Sequence, residues 1–204
     1  MEKYQIFYEM NLENILNFFM IRFVSIVISC IFHPLIISIS TFFILIYHND
    51  SLPENINQIF IICLLFSNVI PIFTVLFLKY KNIISDLDAS IKEQRILPLL
   101  LAVFYSSLGF IALRYYDANQ LVQGLMFCYI TNTIITIIIT KYWKISIHAM
   151  GITAPITVLY LFGYHNIILM FIITLLVGIS RIIIKAHNLK QVLAGSLLGF
   201  ILTF

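Results

Sequence analysis

INQIFIICLLFSNVIPIFTVLFL, from Ile56 to Leu78, runs for 23 residues without a charged side chain. About 20 apolar residues cross a bilayer as a helix. Lipid offers no partner for a backbone amide or carbonyl, so such a run must pair its own groups internally. Comparable runs follow at Ile96–Tyr115, Leu121–Thr140, Ile145–Phe162, Asn166–Ile184 and Asn188–Phe204, and one precedes it at Phe23–Tyr47. The last is short, which leaves six full spans plus a stub, or seven. Across all 204 residues 61% are hydrophobic and only 10% charged, against about 25% charged in a soluble domain. The expected fold class is all-α: a polytopic transmembrane helical bundle of six to seven spans. It forms one domain over residues 23–204, behind a polar or interfacial segment at 1–22.

In that first segment Leu12, Ile15, Leu16 and Phe19 share a helical face, although Glu9 and Glu13 suit an anionic lipid surface poorly. It lacks a basic stretch before a short apolar core, so no cleaved signal peptide is expected. Pro34 and Pro71 fall inside spans, where a missing N–H kinks a helix. Cys30, Cys63 and Cys128 are far apart in apolar runs and read as packing residues rather than metal ligands. A net charge of +3 gives no nucleic-acid surface. The expected location is multi-pass in the inner cell membrane, with membrane lipid as the neighbour.

Polar residues concentrate in three loops: KYKNIISDLDASIKEQR (Lys79–Arg95), KYWKISIH (Lys141–His148) and SRIIIKAHNLKQ (Ser180–Gln191). Two spans separate each loop from the next. An even number of crossings returns the chain to the same side, so all three meet at one membrane face. The opposite face has short connections such as HNDSLPEN, YDANQ and GYHN. Arg95, Lys144, His148, Arg181, Lys185, His187 and Lys190 therefore share that face. Cations hold phosphate oxygens, Arg bidentately, and an imidazole can attack phosphorus or give a proton. Lysines alone would read as positive-inside loop charges; the two histidines and the membrane-edge Arg181 fit that reading poorly.

Spacing sharpens the pattern. His187 and Gln191 are four apart, as are Lys144 and His148, while Asp88, Lys92 and Arg95 fall at i, i+4 and i+7. Gly195 and Gly199 are four apart on the last span, as in close helix packing. SR-x5-H-x3-Q from Ser180 to Gln191, preceded by Ser146-x-His148 and by Arg95, resembles the type 2 phosphatidic acid phosphatase family. That family carries a Lys with an Arg seven later followed by Pro, then P-S-G-H, then S-R-x5-H-x3-D. The likeness runs from about Asp88 to Gly199. It implies a phosphatase that needs no metal or other cofactor and works through a phosphohistidine. His187 would attack phosphorus and His148 would protonate the departing oxygen. Arg181, Arg95, Ser146 and Ser180 would hold the phosphoryl group, and Gln191 would orient His187. Lys92 or Lys144 would replace the missing first lysine, with Asp88 available to pair with Lys92.

Departures from the pattern are Asp88 for Lys, Arg95-Ile-Leu-Pro98 for Arg-Pro, Ile145-Ser-Ile-His148 for P-S-G-H, and Gln191 for Asp. They keep open a degenerate relative that binds a lipid phosphate without hydrolysing it. A membrane prenyltransferase would need two carboxylate clusters for Mg²⁺, and Asp86 with Asp88 makes one pair. His33 next to Pro34 reads as marking a kink. The positive-inside rule makes the polar face cytoplasmic, whereas bacterial members of the resembling family mostly place their site outside, so the side stays open.

Overall fold

The computed structural model describes residues 12–48 and 53–204, with side chains from residue 16 onward. The described residues are helical, with no strand among them. In chain order the helices are α1 (Leu12–Ile31), α2 (Pro34–Tyr47), α3 (Ile56–Leu64), α4 (Ile70–Tyr80), α5 (Ile96–Tyr115), α6 (Gln120–Tyr142), α7 (Ile147–Leu161), α8 (Ile167–Ile183) and α9 (Leu189–Ile201). Four helical stretches are long and apolar enough to cross a membrane: Leu16–Tyr47, Ile56–Tyr80, Lys92–Tyr115 and Gln120–Tyr142. The apolar helices α7 to α9 are shorter, at 15, 17 and 13 residues.

Local chemistry sets most helix starts. The first backbone N–H groups of a helix lack partners, and a side-chain oxygen or ring nitrogen supplies one. Asn119 caps α6, Ser146 caps α7, Asn166 caps α8 and Asn188 caps α9. At α2 the cap is the His33 ring: its Nδ1 accepts the Leu35 N–H at 3.3 Å, and Pro34 occupies the first turn, where no N–H is required.

That cap marks an interruption inside the expected Phe23–Tyr47 span, which lies within the single apolar stretch Leu16–Tyr47. The disturbance expected at Pro34 is an interruption at Phe32–His33: the Phe32 N–H still returns to the Ile28 carbonyl at 3.0 Å, and α2 begins at Pro34. Of the expected interfacial segment, residues 1–11 lie outside the described residues. The remainder belongs to α1, which runs on to Ile31 without a boundary at Phe23. Pro71 acts differently. It follows a π-helical turn at Leu65–Val69 that absorbs the disturbed ladder between α3 and α4.

The core lies at one end of the bundle. Phe42 and Leu45 of α2, Ile59 and Cys63 of α3, Leu113 of α5, Val122 and Met126 of α6 and Val158 of α7 are buried together. Outward apolar side chains such as Phe73, Ile111 and Ile168 stay exposed, as expected of a surface that faces lipid.

At the other end the three polar loops join. Arg95 Nη1 donates to the Ile145 carbonyl at 3.2 Å, Lys92 Nζ to the Lys141 carbonyl at 3.3 Å and Lys144 Nζ to the Ala186 carbonyl at 3.0 Å. Close packing of α9 on α7 fixes their spacing. A Cβ at Gly195 would collide with the Ser146 carbonyl oxygen, and one at Gly199 with the Thr153 hydroxyl and the Met150 carbonyl. The two glycines thus have the packing role their spacing predicts.

Candidate active site

A cavity of about 370 Å³ opens at the polar end, between α2, α4, α5 and the three loops. Its walls are mostly apolar: Pro34 and Leu35 from α2, Pro71, Val75 and Leu76 from α4, and Pro98 and Leu99 from α5. Its polar lining consists of His33, Asp88, Arg95, His148, Arg181 and His187. Four of the expected site residues, Arg95, His148, Arg181 and His187, therefore face one space.

His187 is placed by the turn that ends α8. Lys185 adopts φ +59°, and the N–H groups of Ala186 and His187 return to the Arg181 carbonyl at 3.1 and 3.2 Å. The next residue, Asn188, starts α9 through a reciprocal cap with Gln191. Gln191 Oε1 accepts the Asn188 N–H at 3.1 Å and lies 3.2 Å from His187 Nδ1. A backbone N–H only donates, so the atom facing it is the amide oxygen. His187 Nδ1 must then be the donor of its own contact, which leaves Nε2 with a lone pair. Burial, with the Lys144 and Arg95 cations nearby, pushes the imidazole down to about 4. At neutral pH the ring is uncharged and nucleophilic.

Both guanidiniums already serve protein acceptors. Arg95 Nε donates to the Ala89 carbonyl at 2.7 Å, and this bond holds the loop where Ala89 takes a left-handed φ of +43°. Arg181 Nη1 donates to Ser29 Oγ at 2.9 Å, and Nη2 to Asp88 Oδ2 at 2.9 Å. The Arg181 Nε is buried without a partner among the described residues. A phosphate at this end would compete with Asp88 for Arg181.

Several expectations are corrected here. Asp88 does not pair with Lys92; its partner is Arg181, 93 residues away. Asp88, Lys92 and Arg95 share no helical face, because Asp88 sits in a loop and Lys92–Arg95 is a single 3₁₀ turn. Lys92 Nζ lies 3.7 Å from Glu93 and outside the cavity lining. Lys144 reaches Ala186 and approaches His187 only as a nearby charge; burial, then Arg95 and Arg181, lower its pKa. Ser146 is 0% exposed, and its hydroxyl oxygen accepts the Ala149 N–H. Ser180 is buried, with its hydroxyl on the Val177 carbonyl. Neither serine is among the residues lining the cavity.

His33 and Asp88 are the lining residues that the sequence did not single out for the site. His33 packs edge-on against His148, with ring centroids 5.0 Å apart. One ligating atom from each of His33, Asp88 and His148 falls within 4.8 Å of the others, a donor set that in isolation suits a divalent cation. Two observations count against that use. The α2 cap occupies His33 Nδ1, so Nε2 carries the ring proton and has no lone pair to offer, and Arg181 puts a fixed positive charge on Asp88. Burial opposes ionisation of Asp88, but the Arg181 hydrogen bond and the neighbouring charges hold its carboxyl below the usual range.

No family model matches the chain, and no curated protein or solved structure matches it either.

Proposed function

We propose that this chain is an integral membrane phosphatase that hydrolyses a lipid phosphate or diphosphate through a phosphohistidine on His187. The observation that carries this reading is the pairing of a neutral, oriented His187 with His148 in one cavity, cationic at one end and apolar along its walls. An amphiphile with a phosphate head and a hydrocarbon tail has that same division.

The His187 Nε2 lone pair attacks phosphorus. The bond to the ester oxygen breaks, its electron pair stays with that oxygen, and the His148 imidazolium supplies the proton. Water then attacks the phosphohistidine and passes a proton to the now neutral His148. The N–P electron pair returns to His187, and phosphate leaves. Arg95 and Arg181 offset the charge on the phosphoryl oxygens, where such stabilisation contributes most to phosphoryl transfer.

Gln191 brings no negative charge and Asp88 already occupies Arg181, which favours a second reading: a protein that binds lipid phosphate without turnover. One experiment separates the two. Purified protein, with EDTA present, is offered phosphatidic acid, phosphatidylglycerol phosphate, a polyprenyl diphosphate and a lipid A phosphate. Release of inorganic phosphate from any of them supports the phosphatase. Retained binding with no release supports the binder.

A further inference from the structure

Few donors in the cavity are uncommitted. Arg95 and Arg181 already give N–H groups to protein acceptors, and Lys92, Lys144, Ser146 and Ser180 are not among the lining residues. His33 is among them. Three contacts fix its ring. Nδ1 accepts the Leu35 N–H at 3.3 Å as the cap of α2. The next residue, Pro34, packs so closely on α7 that a Cβ at Gly151 would come within 2.8 Å of its side chain. One turn before Gly151, His148 meets the His33 ring edge-on, with centroids 5.0 Å apart. The cap also decides the tautomer. With Nδ1 as acceptor the ring proton is on Nε2, the nitrogen further from the backbone. That N–H has no hydrogen-bond partner among the described residues. The Asp88 carboxylate, within 4.8 Å of a ring nitrogen, accepts from Arg181 instead.

We propose that His33 is a phosphate-binding residue: its neutral Nε2–H donates to an oxygen of the phosphoryl group that enters this cavity. This rests on the lipid-phosphate reading above and deepens it. The donor needs no charge on the ring, and the cap at Nδ1 keeps the proton on Nε2. A ring already held by the cap and by α7 loses little further freedom when it binds, which favours affinity. Pro34 and Leu35, which follow His33, belong to the apolar wall. The residue therefore stands where the head of an amphiphile gives way to its tail. The chemistry recognised is the phosphoryl head that a lipid phosphate and free phosphate share.

Two substitutions separate the two ring nitrogens. Asn is a favoured N-cap whose Oδ1 replaces Nδ1, but it is too short to place a donor where Nε2 stands; Gln reaches that position and caps poorly. Purified full chain in detergent is titrated calorimetrically with inorganic phosphate and with octylphosphonate, whose C–P bond is not hydrolysed. Octylphosphonate should bind the wild type more tightly, which marks a lipid headgroup as the source of the phosphoryl group. His33→Asn should keep or raise Tm and raise Kd for both ligands by about 10-fold, as for a lost hydrogen bond to a charged acceptor. His33→Gln should recover most of the affinity while lowering Tm by a few degrees. Unchanged affinity in His33→Asn, or losses in both variants that follow Tm, would overturn the inference and leave His33 as a helix cap. Wild type that binds neither ligand would overturn it too. Wild type that binds octylphosphonate but releases no phosphate from octyl phosphate would overturn the phosphatase reading alone, and the two affinity ratios would still decide the role of His33.

Discussion

Gln191 Oε1 stands 3.2 Å from His187 Nδ1 while accepting the Asn188 backbone N–H, so a single amide oxygen both starts α9 and fixes the tautomer of the histidine. The two roles separate by substitution. Gln191→Leu removes both and should cut phosphate release by about 10²-fold, on the scale of lost histidine orienters. The cap loss alone should cost only about 1 kcal/mol. Gln191→Asp should keep or raise activity, because a carboxylate also stabilises a charged imidazole. Unchanged phosphate release from the Leu variant, with a slightly lower Tm, would leave Gln191 as a cap and nothing more.

Acidity offers a second handle on His187. Its folded-state pKa of about 4 lies below the ordinary value of 6.5, so the folded chain resists a proton that the unfolded chain accepts. Stability should therefore fall as pH drops from about 6.5 towards 4. Neutral imidazole reacts with diethyl pyrocarbonate and imidazolium does not. Carbethoxylation of His187, followed by mass spectrometry, should reach half its maximal rate near pH 4. Lys144→Gln removes one of the cations that depress the ring and should move that midpoint to higher pH. A midpoint near 6.5 in the wild type would mean that His187 is solvated rather than enclosed.

How much of this was legible in the sequence depends on the range of the interaction. Apolar runs and parity of crossings were sufficient for the helical bundle and for the meeting of the three loops. The i, i+4 spacing sufficed for His187 with Gln191, and the Gly195–Gly199 spacing for the α7–α9 contact. His33 was out of reach because His-Pro reads locally as a kink; only packing of the α1–α2 break against α7 brings the ring to His148. Asp88 was misread for a related reason. Helical spacing offered Lys92 as its partner, but the segment is a loop with Ala89 in the left-handed region, and the carboxylate turns to Arg181 instead. Ser146 and Ser180 carried the motif spacing, but both lie outside the cavity lining: Ser146 accepts the Ala149 N–H and Ser180 donates to the Val177 carbonyl.

The glycines provide a stability contrast that is independent of activity. At Gly195 and Gly199 an added Cβ meets backbone and side-chain oxygens of α7, whereas at Gly124 it meets nothing within 4 Å. Gly124→Ala should leave Tm unchanged or raise it slightly, since alanine is favoured in a helix by up to about 1 kcal/mol. Gly195→Val should lower Tm by several degrees or prevent purification, because α9 would have to move off α7 and take His187 with it. Equal tolerance at both positions would mean that α7 and α9 are further apart than described.

Topology can be checked at the far end of the bundle. Tyr116–Ala118 follows α5 and Phe204 follows α9; both helices start at the polar loops and run away from them. Reporter fusions at these two points should report the same side of the membrane, and a reporter in the Lys79–Arg95 loop the opposite side. Opposite readings from Ala118 and Phe204 would break the parity that joins the three loops. Whichever side the loop reporter marks also decides between the positive-inside expectation and an external site.

The Arg181–Asp88 pair sets a final expectation. Arg181 is 4% exposed, and its other hydrogen bond goes to Ser29 of α1, so the guanidinium ties α1, α8 and the Asp88 loop together. Removing one member of a buried pair strands the other, at a cost of about 3–5 kcal/mol when both are enclosed. Asp88 is partly solvated, so Asp88→Asn should cost less than that range through lost pairing. Arg181→Ala loses the Ser29 contact and cation as well and should be the more damaging single change. Combining Arg181→Ala with Asp88→Asn should be less destabilising than the two single effects added, since neither partner remains to be stranded. Thermal unfolding of the four proteins in detergent measures this. Simple additivity would show that the pair does not couple and that the 2.9 Å contact contributes no net stability.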